Sequence, residues 1–269
     1  MTSFPNAKIN IGLKVLGKRS DGYHNISTIF YPIPFRDSLE IISSEVTTLT
    51  TYGLPVSGNS EDNLVIRAWH LLKEDFPPLK PVHFHLLKTI PMGAGLGGGS
   101  ADGAFALKML NERFKLGLNH EQLIAYALKL GSDCPFFIAN KPALASGRGE
   151  LLADADISIT GHDLILITPD IHINTAKAFA MLADYKDADS QPIEVPLSPI
   201  ERWKDTLSND FEAPVFKMHP ELTEIKKTLY AAGALHASMS GSGSSLYGIF
   251  PKNHGINIPF SYPFHRFSL

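Results

Sequence analysis

Residues 91–102 read Pro-Met-Gly-Ala-Gly-Leu-Gly-Gly-Gly-Ser-Ala-Asp, with five glycines in the seven positions 93–99. A backbone this poor in β-carbons can turn left-handed and approach other atoms closely, as wrapping an anion requires. The run opens into apolar residues at helical spacing (Ala101, Ala104, Phe105, Leu107, Met109), which predicts a mostly buried helix over 101–110. Four readings of the loop follow. A Walker loop needs Gly-Lys-[Ser/Thr] at its end, and here Gly99 is followed by Ser100 with no lysine, so that reading fails. Gly93, Gly95 and Gly98 formally satisfy a dinucleotide fingerprint, but nearly 90 residues of antiparallel-type sheet pattern precede them, the wrong element order. A flexible loop without ligand and a phosphate cradle ending at a helix N-terminus stay open. In the cradle, the Ser100 hydroxyl could meet a phosphate or a magnesium ion.

Before the glycines, residues 7–16 alternate. Ile9, Ile11, Leu13 and Val15 fall on one face and Lys8, Asn10, Gly12 and Lys14 on the other, the period of a half-buried strand with Lys8 and Asn10 pointing away from the core. Asp21-Gly22 signals a turn. Strands are expected at 26–33, 38–42 and 47–52, making the N-terminal region a small and largely antiparallel sheet, followed by a helix over 63–76 and a return to strand at 82–87. Asn119 and Gln122 form a capping-box pattern that Gly131 terminates. Composition shifts near 147–161. Beyond it come a strand at 163–168, a helix at 175–182, a polar loop at 186–199, a helix at 220–232 stopped by Gly233, and strands flanking 240–245. The chain therefore reads as α+β, with a second α+β unit from about Gly161.

Bulk properties narrow the class. A hydrophobic content of 44% with 19% charged residues suits a globular chain. The formal charge of −3 and pI near 6.4 argue against a nucleic-acid binder, which carries a basic excess. No stretch reaches the ~18 apolar residues of a membrane span, and residues 1–5 show no secretory pattern. The single cysteine, Cys134, cannot make an internal disulfide, and the 11 histidines show no zinc-site spacing. The expectation is a cytoplasmic protein with no nucleic-acid or membrane partner.

Residues 91–101 resemble the second motif of the GHMP kinases. Two further stretches narrow the likeness to the 4-diphosphocytidyl-2-C-methyl-D-erythritol kinase family: Ala7-Lys8-Ile9-Asn10 followed by Asp21-Gly22-Tyr23-His24, and Gly131-Ser132-Asp133-Cys134-Pro135-Phe136-Phe137. Residues 238–245, Ser-Met-Ser-Gly-Ser-Gly-Ser-Ser, are similar to the third motif. The motifs run in family order across nearly the whole chain. The resemblance implies the two-domain GHMP kinase fold: a ribosomal protein S5 domain 2-like N-terminal domain over 1–155 and a ferredoxin-like C-terminal domain over 156–269. It implies ATP-dependent, magnesium-assisted phosphorylation of the 2-hydroxyl of a cytidine diphosphate sugar alcohol, a small-molecule substrate of the non-mevalonate isoprenoid route. Homoserine or mevalonate kinase activity, or a non-catalytic nucleotide-binding protein on the same fold, are the alternatives. The oligomeric state stays open.

The resemblance also implies roles. Asp133, between a helix stop and Pro135, would be a general base in a fixed loop; judged alone it reads as a turn cap. Lys8 would offset charge beside it, although alone it reads as a solvated strand lysine. Asn10, Tyr23, His24, Thr175 and Phe179 would bind substrate, with Tyr23 and Phe179 sandwiching the pyrimidine and His24 reading its edge. Phe179 equally suits a core. ATP would meet Pro91, Met92, Gly93, Ala94, Gly95, Leu96, Gly97, Gly98, Gly99, Ser100 and Ala101, with Asn63, Leu64, Lys88 and Met92 near the adenine. The metal's ligands are unknown, with Ser100 a candidate. Ala94, Asp102 and Ser242 depart from the family pattern. Asp102 would suit the helix dipole and either repel phosphate or face the metal.

Overall fold

The computed structural model describes residues 1–182, 191–196, 198–255 and 262–269. In chain order the strands are β1 (Thr2–Ser3), β2 (Asn6–Lys18), β3 (His24–Arg36), β4 (Ser38–Ser43), β5 (Thr48–Gly53), β6 (Val82–Lys88), β7 (Ala143–Ser146), β8 (Leu151–Asp154), β9 (His162–Ile167), β10 (His236–Met239), β11 (Leu246–Pro251) and β12 (Phe264–Ser268). The α-helices are α1 (Leu64–Asp75), α2 (Gly98–Phe114), α3 (His120–Leu130), α4 (Cys134–Ala139), α5 (Thr175–Met181), α6 (Trp203–Thr206), α7 (Glu212–Met218) and α8 (Pro220–Ala231). Among the described residues, no helix is long and apolar enough to cross a membrane. The polar loop expected at 186–199 falls outside the described residues at 186–190 and 197.

The chain divides into two compact units. The first comprises Met1–Lys8, Pro32–Met92 and Gly97–Lys141; the second comprises Ile9–Tyr31, Gly93–Leu96 and Pro142–Leu269. The glycine run is thus divided after Leu96.

In the first unit a four-stranded sheet has the order β1-β4-β6-β5. The pairing is largely antiparallel as expected, with one exception: β5 runs parallel to β6, pairing Thr48 with His83. Parallel neighbours need a crossover connection, and α1 lies in the chain between them. Asn63 caps α1, its side chain accepting from Val65 N at 3.0 Å, and Val65, Ile66, Ala68, Trp69 and Leu72 are its buried residues. α2 packs against α1, α3 and α4. It begins at Gly98, three residues before the expected start, so Gly98, Gly99 and Ser100 form its first turn. The capping box on α3 forms in both directions, Asn119 N to Gln122 Oε1 and Gln122 N to Asn119 Oδ1, each at 2.9 Å.

The second unit holds two sheets, of order β2-β3-β7-β8 (with 9–18 of β2 and 24–31 of β3) and β10-β11-β9-β12. The latter is antiparallel throughout. Its core joins Ile165 and Ile167 to Leu222, Ile225 and Leu229 of α8, and to Phe211, Val215, Met239, Leu246 and Phe250.

The half-buried expectation for β2 is overturned. Lys8 and Asn10 are 3% and 2% exposed, as covered as the apolar face beside them. Buried polar groups are tolerated when they are paired, and both are.

Candidate active site

In the first unit, Lys8 Nζ stands 3.7 Å from Asp133 Oδ2. Burial lowers the lysine's pKa and the Asp133 charge opposes that shift. Asp133 is the residue before α4 rather than part of a free loop, Pro135 lies in the helix's first turn, and the Asp133 side chain makes no capping bond. The turn-cap reading therefore fails, and the carboxyl is turned to Lys8 with one third of its surface exposed. The glycine loop crosses this pair. Gly97 has φ +70°, and a Cβ there would lie 3.2 Å from Lys8 Cε and 3.0 Å from Phe137 Cζ. Only a residue without a side chain lets the loop lie against the lysine stem. The following turn of α2 is half-buried at Gly99 and Ser100, and first-turn N–H groups have no partner within a helix. The Ser100 hydroxyl bonds the Cys134 thiol, which burial pushes up to about 12. Cys134 is fully buried and chemically quiet.

Lys88 is tied into a buried charge cluster. Its ammonium is buried between two acids, donating to Asp102 Oδ2 at 2.8 Å and to Asp37 Oδ2. Asp37 Oδ1 also accepts from Thr89 N and Ile90 N at 2.6 and 2.8 Å. Asp102 therefore faces Lys88, and burial raises its carboxyl to about 7. Nothing in the spacing 37, 88, 102 announced this cluster. A cavity of about 140 Å³ is lined by Asn63, Leu64, Lys88, Met92, Gly99 and Asp102, with Val56, Ser57, Asn59 and Asp62. It gathers four of the residues expected near a base.

In the second unit, Gly95 has φ +79°, and a Cβ there would meet Ser240 O at 1.9 Å. The approach is fixed by bonds: Ser240 Oγ donates to Gly95 O at 2.8 Å and accepts from Asn10 N at 3.1 Å, and Ser245 N donates to Ala94 O at 3.2 Å. Asn10 Nδ2 donates to Thr28 Oγ1 at 2.9 Å. The 238–245 segment thus holds 94–95 against β2.

The ring facing Phe179 is His24, not Tyr23, with centroids 4.6 Å apart and planes at 13°. Phe179 also meets Phe211 edge-on at 4.8 Å, so it is both a core residue and one wall of an aromatic site. Tyr23 is 55% exposed, with the Arg148 guanidinium 4.8 Å above its ring, a neighbour that sequence reading missed. Successive residues of an extended chain point opposite ways, a signal that Tyr23 and His24 would not address Phe179 together. Thr175 Oγ1 and Ser242 Oγ lie 3.0 Å apart.

Comparison with known proteins puts this geometry in context. The family model described as GHMP kinases N terminal domain matches residues 63–141, and that described as GHMP kinases C terminal matches 198–259. A Bacteroides fragilis protein named 4-diphosphocytidyl-2-C-methyl-D-erythritol kinase is 49% identical over 260 residues, covering 95% of this chain and 94% of the relative. One of the same name from Azobacteroides pseudotrichonymphae is 45% identical, covering 99% of this chain and all of the relative (100%). Among solved structures, a 4-(cytidine 5'-diphospho)-2C-methyl-D-erythritol kinase is similar at a TM-score of 0.76 and 31% identity, over 93% of this chain and 90% of that one. A Methanococcus jannaschii mevalonate kinase reaches 0.75 at 12% identity over 99% and 97%, a likeness of fold alone.

Proposed function

This chain belongs to the GHMP kinases and, within them, to the 4-diphosphocytidyl-2-C-methyl-D-erythritol kinase family, and from that premise we infer that it phosphorylates the 2-hydroxyl of 4-diphosphocytidyl-2-C-methyl-D-erythritol, yielding the 2-phosphate and ADP. The reaction is a step of the non-mevalonate route to isoprenoid precursors, and ATP is the co-substrate. The fold is the two-domain GHMP kinase fold, read here as domains over 1–155 and 156–269, working in the cytoplasm.

Phosphoryl transfer asks for positioning and charge neutralisation more than for covalent chemistry. The amides at 93–100 and the first turn of α2 cradle the triphosphate. Asp133 accepts the proton of the 2-hydroxyl as its oxygen bonds the γ-phosphorus and the bond to the β–γ bridging oxygen breaks, releasing ADP. Lys8 offsets the negative charge gathering at the transferred group. Tyr23, His24, Thr175 and Phe179 hold the cytidine end, and Asn10 fixes the strand that carries Lys8.

Among the described residues no group of three or more His, Cys, Asp or Glu could hold a metal. Magnesium is commonly held by substrate phosphates and waters with few protein ligands. Ser100 is the candidate protein ligand, and magnesium, when bound, neutralises phosphate charge.

The observation that carries the reading is the 3.7 Å pairing of Lys8 with Asp133 in a chain 49% identical to a named kinase of this substrate. The test is a coupled ADP-release assay with the cytidine substrate, mevalonate and homoserine as acceptors in turn. Turnover is expected with the first alone. Turnover with another acceptor, or none despite bound ATP, would overturn it.

A further inference from the structure

In the second unit, the mechanism leaves one built contact unused. The turn at 147–150 joins β7 to β8 and is pinned in place, Ile26 N donating to Gly147 O at 2.7 Å and Gly149 N to Ser146 O at 3.0 Å. Gly147 has φ +67°, and a Cβ there would stand 2.9 Å from Glu150 Oε2. That lets the Glu150 carboxylate fold back over the turn, where Oε2 accepts from Arg148 N at 2.5 Å. Its Oε1 stands 3.6 Å from Arg148 Nε. The far side of the guanidinium lies over the Tyr23 ring, 4.8 Å from its centroid.

Tyr23 is ordered from two directions. Its main chain is fixed by the 19–25 turn, Arg19 N donating to Tyr23 O at 2.7 Å and Tyr23 N to Asp21 Oδ1 at 3.1 Å. Its side chain is mostly open to solvent, and among the described residues Arg148 is its only charged, hydrogen-bonding or aromatic partner. A cation on one face of a ring leaves the other face for a second ring. The guanidinium itself makes no hydrogen bond among the described residues, and its Nε is buried without a partner. Two acids already answer its charge, Glu150 and Asp21. A balanced, flat cation of this kind fixes a ring better than it grips an anion.

We propose that Arg148 is a positioning residue of the nucleoside site, stacking on one face of Tyr23 so that the opposite face is pre-set for the pyrimidine of the cytidine substrate. The proposal rests on the reading of Tyr23 as part of the cytidine site. Without the cation the ring turns freely, and the ligand must order it on binding, a loss of about 3–10-fold in affinity for one side chain.

The ADP-release assay tests this with the full chain, using cytidine and CDP as competitive inhibitors against the cytidine substrate. The variants are Arg148→Met and Arg148→Gln, two uncharged replacements, each alone and combined with Tyr23→Leu, and each checked for a wild-type thermal midpoint. Either Arg148 variant should raise KM for the cytidine substrate and Ki for both cytidine and CDP by the same factor, about 3–10-fold, while KM for ATP holds. Added to Tyr23→Leu, either should cost less than about twofold more, because the two residues act as one unit. An unchanged Ki for cytidine in a folded variant overturns the proposal. Losses that multiply with Tyr23→Leu, or a loss confined to CDP, would put the guanidinium on the ligand itself and overturn the positioning role. One folded replacement suffices for each of these outcomes. A wild type that binds cytidine by calorimetry yet does not turn over the cytidine substrate would overturn the proposed function instead, and the same titration would still read Arg148.

Discussion

Lys8 Nζ and Asp133 Oδ2 lie 3.7 Å apart, a buried amine facing a part-exposed acid. Burial alone would disfavour the ammonium, and the carboxylate opposes that. Asp133→Asn should cut kcat by ~10²–10⁴-fold, the range for a lost general base, with KM for ATP near wild type. Steady-state kinetics in both substrates checks this, and a variant retaining most of its turnover removes Asp133 from the chemistry.

The aromatic pair makes a second prediction. Phe179→Ala removes a wall that His24 faces at 4.6 Å. Base stacking on an aromatic contributes ~1–3 kcal/mol, so KM for the cytidine substrate should rise about 10–100-fold while KM for ATP holds. Equal effects on both would mean that Phe179 serves only the core it shares with Phe211.

Gly95→Ala tests the close approach in the glycine run. The new methyl would sit 1.9 Å from Ser240 O, at a φ that side chains avoid. A loss above ~2 kcal/mol is expected, since both strain and overpacking act. Chemical denaturation reads it directly, and a wild-type midpoint would show that the loop moves aside freely.

Lys88→Met would leave Asp37 and Asp102 facing each other without the cation between them. Breaking one partner out of a buried charge cluster costs about 3–5 kcal/mol. The thermal midpoint should fall accordingly. Lys88→Met with Asp102→Asn should recover part of the loss, whereas purely additive losses would show that the two residues do not communicate.

His236 sets a pH dependence. Tyr247 Oη donates to Asn10 O at 2.9 Å, so at 3.4 Å its oxygen receives the Nε2 proton of His236, and the ring's other nitrogen is buried without a partner. Burial, with Lys226 adding repulsion, lowers this histidine to about 3 from 6.5. The unfolded chain therefore binds the extra proton first. The stability from keeping the ring neutral is whole above pH 6.5 and is lost as pH falls toward 3, on the order of 5 kcal/mol in all. His236→Gln, which keeps a donor but cannot charge, should flatten the melting temperature between pH 6.5 and 4. An unchanged slope would assign that acid sensitivity elsewhere.

Local rules made much of this legible. The α3 capping box needs only Asn119 and Gln122, and the α1 start needs only Asn63 and the apolar spacing after it, so the chain declares both within a few residues. The pairing of Lys88 with Asp37 and Asp102 was opaque, because tertiary packing rather than any period brings the three together. Alternation along β2 gave the strand but not its burial: the cover over its polar face includes Asp133 for Lys8, and Ser240, 230 positions away, for Asn10. Strand period likewise says nothing of direction, so the parallel β5–β6 pair emerged only with the crossover helix.

The sole thiol of the chain sits one residue after Asp133, sealed from solvent and raised to about 12. Alkylating reagents should therefore ignore the native molecule and tag it only when the short helix beginning at Cys134 opens. That makes labelling kinetics an intrinsic clock for breathing beside Asp133, with no engineered probe. Substrates that hold the aspartate in place should slow the clock.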